Sequence, residues 1–335
     1  MVWIKNKNVA SAFHLLILAT ATVLLLQYAY TYRQHNILYY HISNFKGKMV
    51  DTVQDHFNMT RIHQLQNITR QFFYPKKDII DFKDHEIFLE KCNPETFTLL
   101  NSTKETCNVT HTHVKQYKNC ALVGNGGILL NSSCGAEIDA HDFVIRNNLA
   151  PTAEYSKDVG TKTSLTTINF AVLWRVTNTL KRKRKDNVEL QSLLSRLSET
   201  PGMVFVYPLG IIGLENLKAI DIVMKDKGIP IVLAFSHRSI MTDKRLLYRK
   251  LADTYWNLPS TGVNTFALAS TFCDKISMYG YYPMSTYHNQ NVPYHYYGDP
   301  GYYGPAHKME EEFAMFQDFH SQGIIRQVIG KCDSD

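Results

Sequence analysis

Positions 9–26, VASAFHLLILATATVLLL, form the longest apolar run of the chain, and His14 is its one group able to carry charge. About 20 such residues, rising ~1.5 Å each in a helix, span roughly 30 Å of hydrocarbon. The run predicts a transmembrane signal anchor over 9–30. Lys5 and Lys7 precede it, which places residues 1–8 in the cytosol and the remainder in the lumen. The run exceeds the apolar region of a cleaved signal peptide, and QYAYTYRQ after Leu26 offers no small-residue cleavage site. Residues 31–85 are polar with short apolar patches and read as a stem that becomes ordered near Phe72. Residues 86–335 read as a lumenal domain.

Within that domain the pattern alternates between two periods. CALV at 120–123, FVIRNN at 143–148, Thr163–Ile168, MVFVYPL from 203 and IPIVLAF from 229 predict strands. Residues 186–199, 213–227 and 240–256 carry helical spacing. The segment YPKKDIIDFKDHEIFLEK, 74–91, has mixed helical spacing. Strands alternating with helices predict an α/β fold with a mainly parallel central sheet flanked by helices.

Composition narrows the compartment more than the chemistry. With Lys plus Arg at 36 and Asp plus Glu at 30, a net charge of +6 over 335 residues is a mild lean toward anionic partners. The sequons at Asn58, Asn67, Asn101, Asn108 and Asn131 are glycosylation acceptors only in the secretory pathway. The cysteines, Cys92, Cys107, Cys120, Cys134, Cys273 and Cys332, all follow the anchor and are even in number. Bridges are their default state in an oxidising lumen, and no Cys/His cluster has zinc spacing. Nucleic acid is excluded as a partner there. The basic run 181–185 reads as a solvated face, with an anionic glycan as its functional alternative.

Four polar clusters carry candidate chemistry. A glycine turn, Gly124-Asn-Gly-Gly127, follows the first strand and lets backbone N–H groups approach a phosphate. It lacks the third glycine and the later acidic residue of a dinucleotide site, so NAD is not indicated. Pro259-Ser-Thr-Gly262 leads into an apolar run and supplies hydroxyls and N–H donors at a helix start. Tyr294-His-Tyr-Tyr-Gly298 is the third cluster. His307 and Glu311 form the fourth, and on a helix they share one face.

In this order the four clusters resemble the motifs of the animal sialyltransferases, glycosyltransferase family 29. The resemblance covers roughly 115–332. Cys120–Asn169 is similar to the long sialylmotif and 259–283 to the short one. HYYG at 295–298 is similar to motif III, and His307 with Glu311 to the very short motif. NGGILLNSSCG, IDAHDFV, KDVGTKT, PSTG and the terminal Cys332 most resemble the α2,8 branch. The resemblance implies a single GT-A-like, Rossmann-type domain. It implies inverting, metal-independent transfer of sialic acid from CMP-sialic acid to a sialylated glycolipid or glycoprotein glycan. It implies no cofactor, a Golgi membrane location through one helix, and room for a homodimer. It assigns His307 as general base and His295 to the departing phosphate. It assigns Asn125, Asn148, Ser260, Thr261, Gly262 and Tyr282 to substrate. It pairs Cys120 with Cys273 and Cys134 with Cys332, leaving Cys92 with Cys107. Departures stand at Tyr281 and Tyr282, where the family has Phe-Trp, at Gly298, usually acidic, at Asn257-Leu258 before Pro259, and at Asn147, a cysteine in many relatives. Two other readings remain open: an α2,3- or α2,6-sialyltransferase acting on galactose or N-acetylgalactosamine, and a non-catalytic glycan-binding protein on the same scaffold.

Overall fold

The apolar runs of the sequence become the strands of one sheet. The computed structural model describes residues 56–73, 79–87, 112–181, 188–200, 202–206, 214–236, 247–253, 256, 258–298 and 307–332, together with Gln27. From 56 onward they belong to one unit, Val53–Asp335. The strands are β1 (Ile79–Asp81), β2 (Tyr117–Val123), β3 (Phe143–Asn147), β4 (Leu165–Ile168), β5 (Met203–Val206), β6 (Val232–Ser236), β7 (Cys273–Tyr279) and β10 (Arg326–Val328). Their spatial order is β1-β6-β5-β4-β3-β2-β7-β10. Every pairing is parallel except that of β1 with β6 at the edge. A small hairpin, β8 (Thr286–Tyr287) with β9 (Gln290–Asn291), stands apart. The expected α/β class, with a mainly parallel sheet and flanking helices, is the observed one.

The helices are α1 (Met59–Phe72), α2 (Gly135–Asp139), α3 (Ser156–Val159), α4 (Phe170–Lys181), α5 (Val188–Ser198), α6 (Leu214–Lys227), α7 (Thr261–Ala269) and α8 (Met309–Ser321). Helix α1 lies inside the stretch read from sequence as stem. Its Ile62 and Leu65 are buried in the same core as Phe266, Phe316, Phe319 and Ile276. The compact unit therefore takes in residues upstream of Phe72 as well. Residues 79–81 form a buried edge strand rather than a helix. A second core on the β6 side gathers Leu173, Val176, Leu217, Ile220 and Leu233 from α4, α6 and the sheet.

Two disulfides tie the site-bearing strands. Cys120 in β2 bonds Cys273 at the start of β7, 153 residues away. Cys134 bonds Cys332, 198 residues away. Cys92 and Cys107 lie outside the described residues, as do Asn101, Asn108 and all of the apolar run 9–30 except Gln27. Among the described residues no helix is long and apolar enough to cross a membrane.

Strand order fixes where a ligand can bind. From β2 the chain moves outward through β3, β4, β5 and β6, then returns to the other side of β2 as β7. The β2–β7 boundary is thus a topological switch point, and ligands in such sheets bind beyond the carboxyl ends of the strands there. Val123 pairs with Tyr279 and with Arg146, so the loops after β2, β3 and β7 leave the sheet at one level.

Candidate active site

At that edge a cavity of about 560 Å³ opens. It is lined by Asn125, Asn148, Ser260, Thr261, Gly262, Tyr282, His295 and His307, so all eight residues assigned by resemblance to catalysis or substrate face one space.

The two glycine turns meet across the switch point. Gly124 N–H donates to Tyr279 O at 2.7 Å, and Gly126 N–H to Gly280 O at 3.0 Å. A Cβ on either Gly124 or Gly126 would sit 2.7 or 2.6 Å from that same Gly280 oxygen, so any side chain would push the turns apart. Tyr296 N–H donates to Asn125 O at 3.0 Å, and Gly126 forms a β-bridge with His295, which hangs the third cluster on the first turn. The imidazole of His295 stacks on Tyr297, with centroids 5.0 Å apart and planes at 19°. The Tyr282 hydroxyl donates to Thr286 O at 2.8 Å, which holds its ring at the cavity edge.

The second turn is a helix start. Ser260 caps α7, its Oγ accepting from Val263 N–H at 3.2 Å. The free N–H groups of the first turn and the helix dipole make this end suited to negative charge. Thr261 Oγ1 accepts from Asn169 Nδ2 at 3.3 Å. Asn169 also accepts from Val172 N–H at 2.9 Å and donates its own N–H to Asn148 Oδ1 at 3.1 Å. Asn148 sits in the left-handed region, φ 61°, a conformation asparagine tolerates better than most residues. Asn169 was not singled out by the sequence reading; an asparagine at a strand end one residue before a helix is the signal that marks it.

Below the cavity a polar hub joins the turns. Asn147 Oδ1 accepts from Thr167 Oγ1 at 2.8 Å and Thr265 Oγ1 at 2.7 Å, and its Nδ2 donates to the Tyr281 hydroxyl at 3.2 Å. Tyr281 is wedged between the turns: a Cβ on Gly262 would lie 2.7 Å from its ring, and one on Gly124 3.1 Å. Burial raises the Tyr281 hydroxyl pKa well above the ordinary tyrosine value, so it stays a neutral hydrogen-bonding group. The polar pair Asn147 and Tyr281 thus occupies two of the positions where the sequence departs from the motifs it resembles.

The fourth cluster is arranged differently from the spacing argument. Helix α8 begins at Met309, so His307 lies before it and does not share a helical face with Glu311. Glu311 accepts from Trp256 Nε1 at 2.9 Å and lies 3.9 Å from the Lys308 ammonium. The carboxylate that turns inward is Glu312, 3% exposed, whose Oε1 accepts from Ser260 N–H at 2.7 Å. The sequence offers three consecutive glutamates and no way to choose among them without the burial. His307 Nδ1 lies 2.8 Å from Leu258 O. A carbonyl only accepts, so this contact puts the hydrogen on Nδ1 and leaves Nε2 with the lone pair in the neutral ring.

Burial holds the Glu312 pKa above the usual carboxylate value, opposed by the Ser260 bonds and by His307. The folded state therefore binds more protons here than the unfolded chain, and stability falls as pH rises through the raised pKa. Glu312→Gln keeps an oxygen for the Ser260 N–H and removes the charge. Thermal melts are expected to show it a few degrees more stable than the parent at pH 7.5. The gap should close as pH drops below the ordinary carboxylate range. A gap that widens on acidification contradicts this account.

Among the described residues no cluster of three or more His, Cys, Asp or Glu is placed to hold a metal ion. Asn58 caps α1, accepting from Arg61 N–H at 3.2 Å. Asn67 and Asn131 are exposed, whereas Thr69 of the second sequon is fully buried.

An α/β domain with two polar turns, two histidines and a helix start around one cavity at a switch point is the class of site defined here. Residues 52–324 match glycosyltransferase family 29 (sialyltransferase), and the chain belongs to that family. The mouse protein alpha-2,8-sialyltransferase 8F is 33% identical over 221 residues, 65% of this chain and 54% of that protein. The matched stretch thus spans little more than half the length of that relative. Among solved structures, a mammalian sialyltransferase is 19% identical with a TM-score of 0.45, covering 85% of this chain and 96% of its own. A mammalian sialyltransferase in complex with Gal-beta-1-3GalNAc-ortho-nitrophenol gives 17% and 0.42, with 85% and 97% covered.

Proposed function

We propose that the chain transfers sialic acid from CMP-sialic acid, with inversion and without a metal or other cofactor, to a sialylated glycan of a glycolipid or glycoprotein. The bond formed is α2,8. The protein acts in the Golgi lumen, held by the apolar segment 9–30. Membership of the family supports the reaction, and the mouse relative supports the linkage. The observation that carries the mechanism is the Nδ1 contact of His307, which frees Nε2 at the cavity as a base for the acceptor hydroxyl. His295 and the turn N–H groups stabilise the charge that grows on the departing phosphate. Asn125, Asn148, Ser260, Thr261, Gly262 and Tyr282 hold the donor.

The test is incubation of the protein with CMP-sialic acid and α2,3-sialyllactose, with linkage-resolved analysis of products. A disialyl product with an α2,8 bond is the expected outcome. Sialylation confined to terminal galactose or N-acetylgalactosamine overturns the linkage. No transfer to any acceptor overturns the enzyme reading and favours a glycan-binding role.

A further inference from the structure

One wall of the cavity is built by neither glycine turn nor by the start of α7. It comes from α4 and α5, which pack together and bring Arg175 and Arg196 to the cavity. Neither guanidinium makes a hydrogen bond or ion pair among the described residues. Arg196 lies over the Tyr297 ring, 5.8 Å from its centroid, and Tyr297 stacks in turn on His295. This column holds a cation at the wall beside the residue assigned to the leaving phosphate. Glu189 also lines the wall, seven residues and therefore about 10.5 Å of helix rise from Arg196.

Guanidinium groups recognise carboxylates with paired, charge-assisted bonds. Two of them on one wall, without a hydrogen-bond partner among the described residues, fit an acidic sugar.

The geometry points to a subsite on the α4/α5 wall that binds the carboxylate of the acceptor's terminal sialic acid through Arg196 and Arg175. This rests on the proposed transfer to sialylated glycans and names what selects them. The donor also carries a carboxylate, and the Tyr297 ring lies between Arg196 and the histidine assigned to its phosphate, so the kinetics must tell the two substrates apart.

Initial rates of the full-length protein, varying CMP-sialic acid and α2,3-sialyllactose separately, distinguish the two sources. Arg196→Ala and Arg175→Gln are each expected to raise KM for sialyllactose about tenfold while KM for CMP-sialic acid stays within twofold. Arg196→Lys should fall between, because it keeps the charge and loses the fork. A raised donor KM with an unchanged acceptor KM overturns the subsite by giving the arginines to the donor. Unchanged KM values for both substrates overturn it as well. If Arg196→Ala melts early, the exposed Arg175 on its separate helix carries the test. A wild-type protein that makes α2,8 product while both variants behave normally refutes the subsite alone. One that makes no product from sialyllactose refutes the proposed function with it.

Discussion

Replacing His307 with alanine is expected to lower kcat by about 10²- to 10⁴-fold, the usual worth of a positioned general base. KM for CMP-sialic acid should move less than about twofold, because the proposed role of His307 is to take the acceptor's proton and not to hold the donor. The expectation follows from geometry. The Leu258 carbonyl fixes the hydrogen on Nδ1, so the basic nitrogen is the one free to meet an acceptor hydroxyl. The start of α8, with Glu312 anchored to Ser260 N–H, holds the preceding residue beside the α7 turn. Added imidazole should restore part of the rate in His307→Ala, since the role proposed for the missing group is that of a base. Single-turnover measurements with sialyllactose separate this from a structural effect. A variant with normal kcat removes His307 from the chemistry, and a variant lacking donor binding shows a collapsed site instead.

The mainly parallel sheet was legible, because buried parallel strands such as CALV and IPIVLAF are short apolar runs bounded by turn residues. Strand β7 and helix α4 were not, nor were α1, β1 and β10. Strand β7 begins Cys-Asp-Lys, with the polar pair half exposed near the end of the sheet, and reads as a loop after an apolar run. Helix α4 buries Leu173, Val176, Thr177 and Leu180 at helical spacing, yet its Val, Thr and Trp content favours a strand reading. The site itself was legible as residue types and only partly as geometry. The glycine turns, the Ser260 cap and His295 announce themselves through local chemistry. Asn147 and Glu312 act through contacts with residues 20 to 134 positions away, which no local pattern encodes. The spacing of His307 and Glu311 misled because it assumed a helix running through 307, when α8 starts two residues later.

Removing either disulfide is expected to lower unfolding free energy by about 5 kcal/mol, because each closes a loop of well over 100 residues in the unfolded chain. Domains of this kind hold only about 5–15 kcal/mol in total, so each paired Cys→Ala variant stands near the edge of folding at 37 °C. Urea denaturation at 15 °C is the measurement, read as a lower midpoint. The two variants should differ in activity. Cys120 and Cys273 sit on strands already joined by a continuous parallel ladder from Tyr117 to Val123, so the folded fraction of that variant keeps its switch point and its kcat. Cys332 lies beyond β10, which has three residues and pairs on one side only. The further ties of this chain end are a bond from Cys332 N–H to Ser132 O at 2.9 Å and a long one from the Tyr287 hydroxyl to Ile329 O at 3.5 Å. Loss of the Cys134–Cys332 bridge should therefore let the chain end after Val328 exchange amide hydrogens quickly while the β2–β7 ladder stays protected. Equal protection of both regions, or a midpoint shift worth under about 1 kcal/mol, would mean that the ladder and core alone hold the two ends of the domain together.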